Sequence, residues 1–295
     1  MTSGTTAQIS GTQRFYWSVR RELWETRSLY LAPLAVAVLI VVASLVGAVH
    51  LPERLRDASL APAAQQDLVE QPFTFAALLL MFSTLVVGVF YAVEALQAER
   101  RDRSILFWKS LPVSDLMTVV AKASVPIVIL PLVTWAVTVV TQAVMMMIGS
   151  ARLVGSDPAI ASRWSHLSLV QMAGILFVHL LFGHGLWWAP LWGWLLMVSA
   201  WARRAAFLWA TLPLLAVALL ERIAFNTSYF TGLLIYRLGG GPMGFEPSGR
   251  AMSMGAITLA GPAQFLTDFG FWSGLAALAI FVAVAARIRR ARGPA

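Results

Sequence analysis

Four histidines, and a few charged residues set inside or beside long apolar runs, are the groups in this sequence whose types suit them to chemistry. His179 and His184 share one apolar run but stand five residues apart, about 140° around an α-helix, so the spacing predicts that they do not hold one metal ion together. Pairing with His50 or His166 leaves a haem-ligand reading open, against the plainer one of a hydrogen bond to a neighbouring helix. Glu94, Glu221 and Arg222 lie near the ends of apolar runs, where placement at the membrane interface and snorkelling account for them better than a coupling-ion site does. Trp187, Trp194 and Trp201 recur every seven residues and drift only about 20° per repeat along a helix. They form a packing seam or, alternatively, the lining of a pathway for an apolar ligand.

Familiar catalytic constellations are missing from the sequence. It contains no Gly-x-x-x-x-Gly-Lys-Ser/Thr phosphate loop, no His-Glu-x-x-His and no Gly-x-Ser-x-Gly. The chain is therefore expected to be no enzyme itself, to bind no metal or cofactor, and to leave any ATP hydrolysis to another subunit. Cysteine is absent, which removes disulfides, thiolate nucleophiles and cysteine metal ligands.

The densest charge lies between residues 97 and 122. Glu99, Arg100, Arg101, Asp102 and Arg103 precede Ser104, which is placed to cap a short helix whose apolar members are Ile105, Leu106, Phe107, Trp108 and Leu111. Pro112 ends that helix. Ser114 then caps the next apolar run, with Asp115 in its first turn, and Lys122 is expected to snorkel to the interface while the arginines stay wet.

The elements that must position these groups are membrane helices. Of the 295 residues 59% are apolar and 12% charged, about half the charge of a soluble domain. A span needs roughly 20 apolar residues, and six segments meet that: 28–50, 72–95, 116–149, 167–200, 206–224 and 264–286. The first is too long for the core of a typical signal peptide and is expected to be retained. Pro126, Pro131, Pro190 and Pro213 should kink the third, fourth and fifth. A hairpin broken at Gly183-His184-Gly185 is rejected because each arm would be too short to span.

An even number of spans puts both termini on one side. With the N-terminus inside, fifteen of the 22 Lys and Arg residues fall in cytoplasmic segments, so the net charge of +8 reads as a topology signal and argues against nucleic-acid binding. Residues 11–27, where Phe15, Tyr16, Trp17 and Trp24 alternate with Arg14, Arg20 and Arg21, read as an amphipathic helix on the lipid surface. Residues 1–10 form a polar tail. Segment 225–263, apolar but interrupted by glycine, reads as re-entrant or interfacial helices.

The run Glu99-Arg100, Ser104-Ile105-Leu106, Leu111-Pro112-Val113-Ser114 and Lys122 resembles the signature of the ABC-2 type transporter permeases. In topology the resemblance covers the whole chain, and in sequence about two dozen residues. Many members have Gly-Thr where this chain has Arg103-Ser104, although Ser104 keeps the hydroxyl. The resemblance implies an all-α integral membrane fold like that of type V exporters. Residues 100–112 would be a coupling helix docked on a separate ABC ATPase subunit that carries ATP and Mg. Glu99, Arg100, Arg101, Arg103, Ser104, Trp108, Leu111 and Pro112 would form the coupling interface. It also implies a second permease subunit, identical or similar, and residence in a bacterial inner membrane. The competing reading is a non-transporting anchor or haem-binding subunit of an electron-transfer or biogenesis complex. For a membrane-embedded enzyme the sequence offers no constellation.

Overall fold

The computed structural model describes residues 10–49, 62–102, 113–153, 164, 167–239 and 266–291, and all regular structure among them is helical. The helices are α1 (Gly11–Glu25), α2 (Ser28–Gly47), α3 (Pro62–Glu94), α4 (Gln97–Arg101), α5 (Asp115–Ser124), α6 (Leu130–Leu153), α7 (Leu169–His179), α8 (Ala189–Trp201), α9 (Ala206–Phe225), α10 (Tyr229–Leu238) and α11 (Phe269–Ala291). Two π-helical segments, Val125–Ile129 and Leu180–Trp187, join α5 to α6 and lead from α7 toward α8.

Six helical stretches are long and apolar enough to cross a membrane: Ser28–Gly47, Leu68–Arg101, Asp115–Leu153, Leu169–Trp187, Ala206–Phe225 and Phe269–Ala291. The protein is a multi-pass, all-helical membrane protein. Burial follows from that solvent. In α2, Leu29, Pro33, Ala37 and Ile40 recur at helical spacing on the inward face, while Val38, Leu39, Val42 and Val46 point outward, as a helix that is apolar all round allows.

Helices approach closely where side chains are small. Gly193 of α8 lies under Leu278 and Phe281 of α11, and Gly88 of α3 under Trp192 and Leu130. Polar side chains inside the bundle are satisfied locally. Thr134, Thr138 and Thr141 each turn a hydroxyl onto the carbonyl four residues earlier, at 2.7 Å.

The third and fourth segments depart from plain α-helices in the way their prolines and glycines dictate. Pro126 has no N–H for the Lys122 carbonyl; Val125 N–H takes that carbonyl, and Leu130 N–H reaches back five residues to Val125, which widens the turn. The 167–200 segment, expected as one helix, is divided. It runs as α7 and a π-helical segment to Trp187, breaks at Trp188 (φ −86°, ψ 6°), and restarts as α8. Pro190 explains the restart, because its ring would strike the carbonyl four residues earlier while costing nothing in a first turn. Gly185 explains how the two widened segments meet, since a Cβ there would lie 2.4 Å from the Ile127 carbonyl oxygen.

Within the expected 225–263 segment, α10 is described and residues 240–263 lie outside the described residues. A left-handed turn at Asn226 (φ 49°) reverses the chain after α9. Glu221 fixes the reversal: its carboxylate accepts from the Thr227 hydroxyl (2.9 Å), Tyr229 N–H (2.7 Å) and Phe230 N–H (2.8 Å), capping α10 with a negative charge. The returning helix reaches the bundle where Trp187 Nε1 donates to the Arg237 carbonyl at 2.9 Å.

Candidate functional site

One end of the bundle carries a buried ionic cluster assembled from four helices. Glu22 comes from α1, Glu99 from α4, Lys122 from α5 and Arg289 from α11, and each is at most 7% exposed. Lys122 Nζ donates to both carboxylate oxygens of Glu22 at 2.9 Å and lies 3.1 Å from Glu99 Oε1. Arg289 donates to Glu99 through Nη1 and to Asp115 through Nε at 3.0 Å. Arg21 completes it, 2.7 Å from Glu22 and 3.1 Å from Glu99. The second Glu22 oxygen also accepts the Tyr91 hydroxyl at 2.8 Å. Three carboxylates face three cations, so no net charge is left inside, which is the condition for burying ions at tolerable cost. Glu25, at the rim, is held above the usual carboxylate range by partial burial, with Arg21 pulling the other way.

Local structure puts each charge in place. Ser10 and Gln13 form a reciprocal capping box that starts α1, so its face bearing Glu22 turns toward the bundle and the opposite one exposes Trp17 and Trp24 with Arg20 stacked on both rings. Ser114 Oγ accepts from Met117 N–H at 3.2 Å and so starts α5, setting Asp115 and Lys122 two turns apart. At the base of the 97–122 segment, α4 and α8 cap one another. Ser199 Oγ accepts from Leu96 and Gln97 N–H at 3.0 and 3.1 Å, and Arg100 Nη2 donates to the Ser199 and Ala202 carbonyls, both at 2.7 Å.

The predicted coupling residues therefore divide. Glu99 and Arg100 are buried and tied to other helices, so Arg100 does not stay wet. Arg101 is exposed beside Asp102. Arg103, Ser104, Trp108, Leu111 and Pro112 lie outside the described residues. Lys122 does not snorkel outward; two carboxylates hold it within the cluster, because an ion pair there satisfies all its charge without solvent. Sequence reasoning missed Glu22, Tyr91 and Ser199. The available signal was a pair of glutamates, Glu22 and Glu25, near the end of an otherwise basic, aromatic helix, with a lone lysine inside an apolar run to answer them.

The tryptophan stripe is not one helical face, because the break at Trp188 separates its first member from the rest. Trp187 is fully buried and packs edge-on to Tyr236 under the Arg237 guanidinium. Trp194 donates to the Ala210 carbonyl at 3.0 Å and meets Phe281, and Trp201 meets Trp209 edge to face. All three make helix contacts. A cavity of about 420 Å³ lies elsewhere, among α2, α3 and α6, with Leu39, Ser44, Phe73, Phe75 and Met145 in its wall.

A second polar cluster closes the opposite end. The Tyr236 hydroxyl donates to Asp268 at 2.7 Å, and partial burial, then that bond, pushes the phenol up to about 12. Arg237 donates to the Gly270 carbonyl at 2.7 Å. His179 and His184, expected on different sides of a helix, are neighbours with ring centroids 6.2 Å apart. The widened turn brings positions five apart nearly into register, which α-helical spacing does not.

No family model matches this chain, and neither curated proteins nor solved structures give a match.

Proposed function

We propose that this chain is the permease subunit of an ATP-driven ABC-2 type exporter. In this reading it pairs with an identical or similar permease and with separate ABC ATPase subunits that bind ATP and Mg. It sits in a bacterial inner membrane with both termini cytoplasmic. The chain itself does no chemistry; it converts closure of the ATPases into movement of its helices.

The buried cluster around Glu99 carries the reading. A segment that only linked two spans would need no fixed base, yet residues 96–100 are held by α1, α5, α8 and α11 through ion pairs and reciprocal caps. A push on residues 103–112 would enter a short helix that cannot move alone. Buried ion pairs give little net stability over apolar packing. Their use here is positional: they couple the docking segment to the spans on either side of it and to the amphipathic helix. Arg101, exposed at the head of that segment, is the described coupling residue left to meet a partner.

The absence of native cysteine permits a direct test. A single cysteine at Arg101, labelled with a short photo-crosslinker in native membranes, should form an adduct with a phosphate-loop ATPase; one at exposed Tyr229, at the other end, should not. Adducts without an ATPase at Arg101, or the same products from both sites, contradict the proposal.

A further inference from the structure

The cavity of about 420 Å³ among α2, α3 and α6 is used by neither the ionic cluster nor the proposed coupling path, and it lies at the ends of these helices far from that cluster. Along α2 its wall runs from Leu39 to Ala48 and along α3 from Leu68 to Leu79, about 14 and 17 Å at about 1.5 Å per residue. That is close to half of a hydrocarbon core about 30 Å thick, so the space is as deep as one leaflet. Its inner wall includes buried Phe73, Ala76 and Met145, whereas Leu39 and Phe75 at the rim are 67% and 64% exposed, so it opens sideways into the bilayer. The polar groups of its described lining side chains are already spent: the Ser44 hydroxyl donates to the Ile40 carbonyl at 2.8 Å, and the Trp164 indole N–H to Ser150 at 2.9 Å. Water needs roughly two to four polar partners and gains nothing in such a space, whereas an apolar cavity of only about 150 Å³ already takes up small hydrocarbons.

We infer that this cavity seats one acyl chain of an anionic phospholipid from the leaflet opposite the ionic cluster, with the lipid phosphate beside Arg152. Depth, lining and lateral mouth suit a hydrocarbon chain that enters from the bilayer. Spread over one leaflet, the volume makes a slot about one chain wide, and the open rim leaves the second chain outside on Leu39 and Phe75. The outer end of the slot is marked by Trp164, which lies across Gly149, where any Cβ would run into the indole, and packs on Phe73 with ring centroids 6.0 Å apart. Indoles favour the headgroup level, so the phosphate of a seated lipid stands just beyond this ring. Arg152 is the cation there. It follows Met145 by seven residues, within about 20° of the same line along α6, and it is exposed with no ion pair among the described residues. A guanidinium so placed can pair with a phosphate through two N–H groups. The inference is independent of the transport reading, since it requires no ATPase.

The test uses the full-length purified protein in phosphatidylcholine vesicles that carry a trace of phosphatidylglycerol or of phosphatidylcholine with a photoreactive diazirine in one acyl chain. Peptide mapping should place the phosphatidylglycerol adducts on α2, α3 and α6 around Phe73 and Met145, about fivefold above those of phosphatidylcholine, the gain expected from one cation at the membrane surface. Gly47 lines the cavity and has nothing within 4 Å of its Cβ position, so Gly47→Phe fills the space without a clash. That variant and Ala43→Phe should each cut labelling of the cavity about tenfold. Leu219→Phe, on the exposed face of α9, should label as the wild type does. Arg152→Gln should bring the two lipids level without emptying the cavity. Thermal melts identify the variants that fold, and the wild-type map decides even where a filled variant does not. The inference is wrong if no adduct maps to the cavity, as when another part of the chain or a second copy fills it. It is equally wrong if the two lipids label the wild type alike, if folded G47F and A43F label as the wild type does, or if R152Q keeps the preference for phosphatidylglycerol.

Discussion

Glu99 accepts from Arg21, Lys122 and Arg289 at once, so its loss would unbalance three cations together. Glu99→Gln keeps the shape but leaves three cations against two carboxylates in a buried space, which should destabilise the fold by about 3–5 kcal/mol. Thermal or denaturant unfolding in detergent measures this, and the double variant E99Q/K122Q should recover part of the loss by restoring the balance. Arg100→Ala removes the donor to two carbonyls at the end of α8 and should cost about 1.5–3 kcal/mol, with Ser199→Ala nearer 1. Arg101→Ala should leave stability unchanged, since that side chain is exposed. These residues also mark how far sequence reaches. The charge at Glu99 and Arg100 beside an apolar run was legible, whereas its inward direction was not, because it depends on partners as far as 190 positions away.

Among the elements, the capped start of α5 was readable because a serine cap acts within three residues. The two π-helical segments were not. Pro126 and the Gly183/Gly185 pair announce a distortion, but whether it becomes a kink, a hairpin or a wide turn is set by what packs alongside, here each segment against the other. This gives a paired prediction. Gly185→Ala puts a methyl 2.4 Å from a backbone oxygen that has nowhere to go, so it should destabilise by about 1–3 kcal/mol. Gly183→Ala, whose methyl meets only an imidazole at 3.8 Å, should lie within about 1 kcal/mol of the wild type, its helix preference being higher than glycine's. Unfolding midpoints of the two variants decide it, and equal effects would place the strain elsewhere. Glu221→Ala should release α10 without touching the bundle. Hydrogen exchange should then rise in 227–238 alone.

At the scale of the whole molecule, the class and the six apolar helices follow from hydropathy, since bilayer thickness fixes how long an apolar run must be. The ion pairs and caps that tie them together do not. The described ends of the chain, α1 and the end of α11, meet in one charged cluster with the base of the 97–122 segment, so the first and last helices are tied to that base. In the proposed reading the driver is a separate subunit carrying the phosphate loop that this sequence lacks. Affinity purification of the tagged protein from its native membranes, with identification of the proteins that accompany it, tests this most directly. The account predicts an ATPase with a phosphate loop in the complex, lost on charge reversal at Arg101 and Arg103 while the permease stays folded. An intact permease that brings down no nucleotide-binding protein, and whose activity survives that reversal, would contradict it.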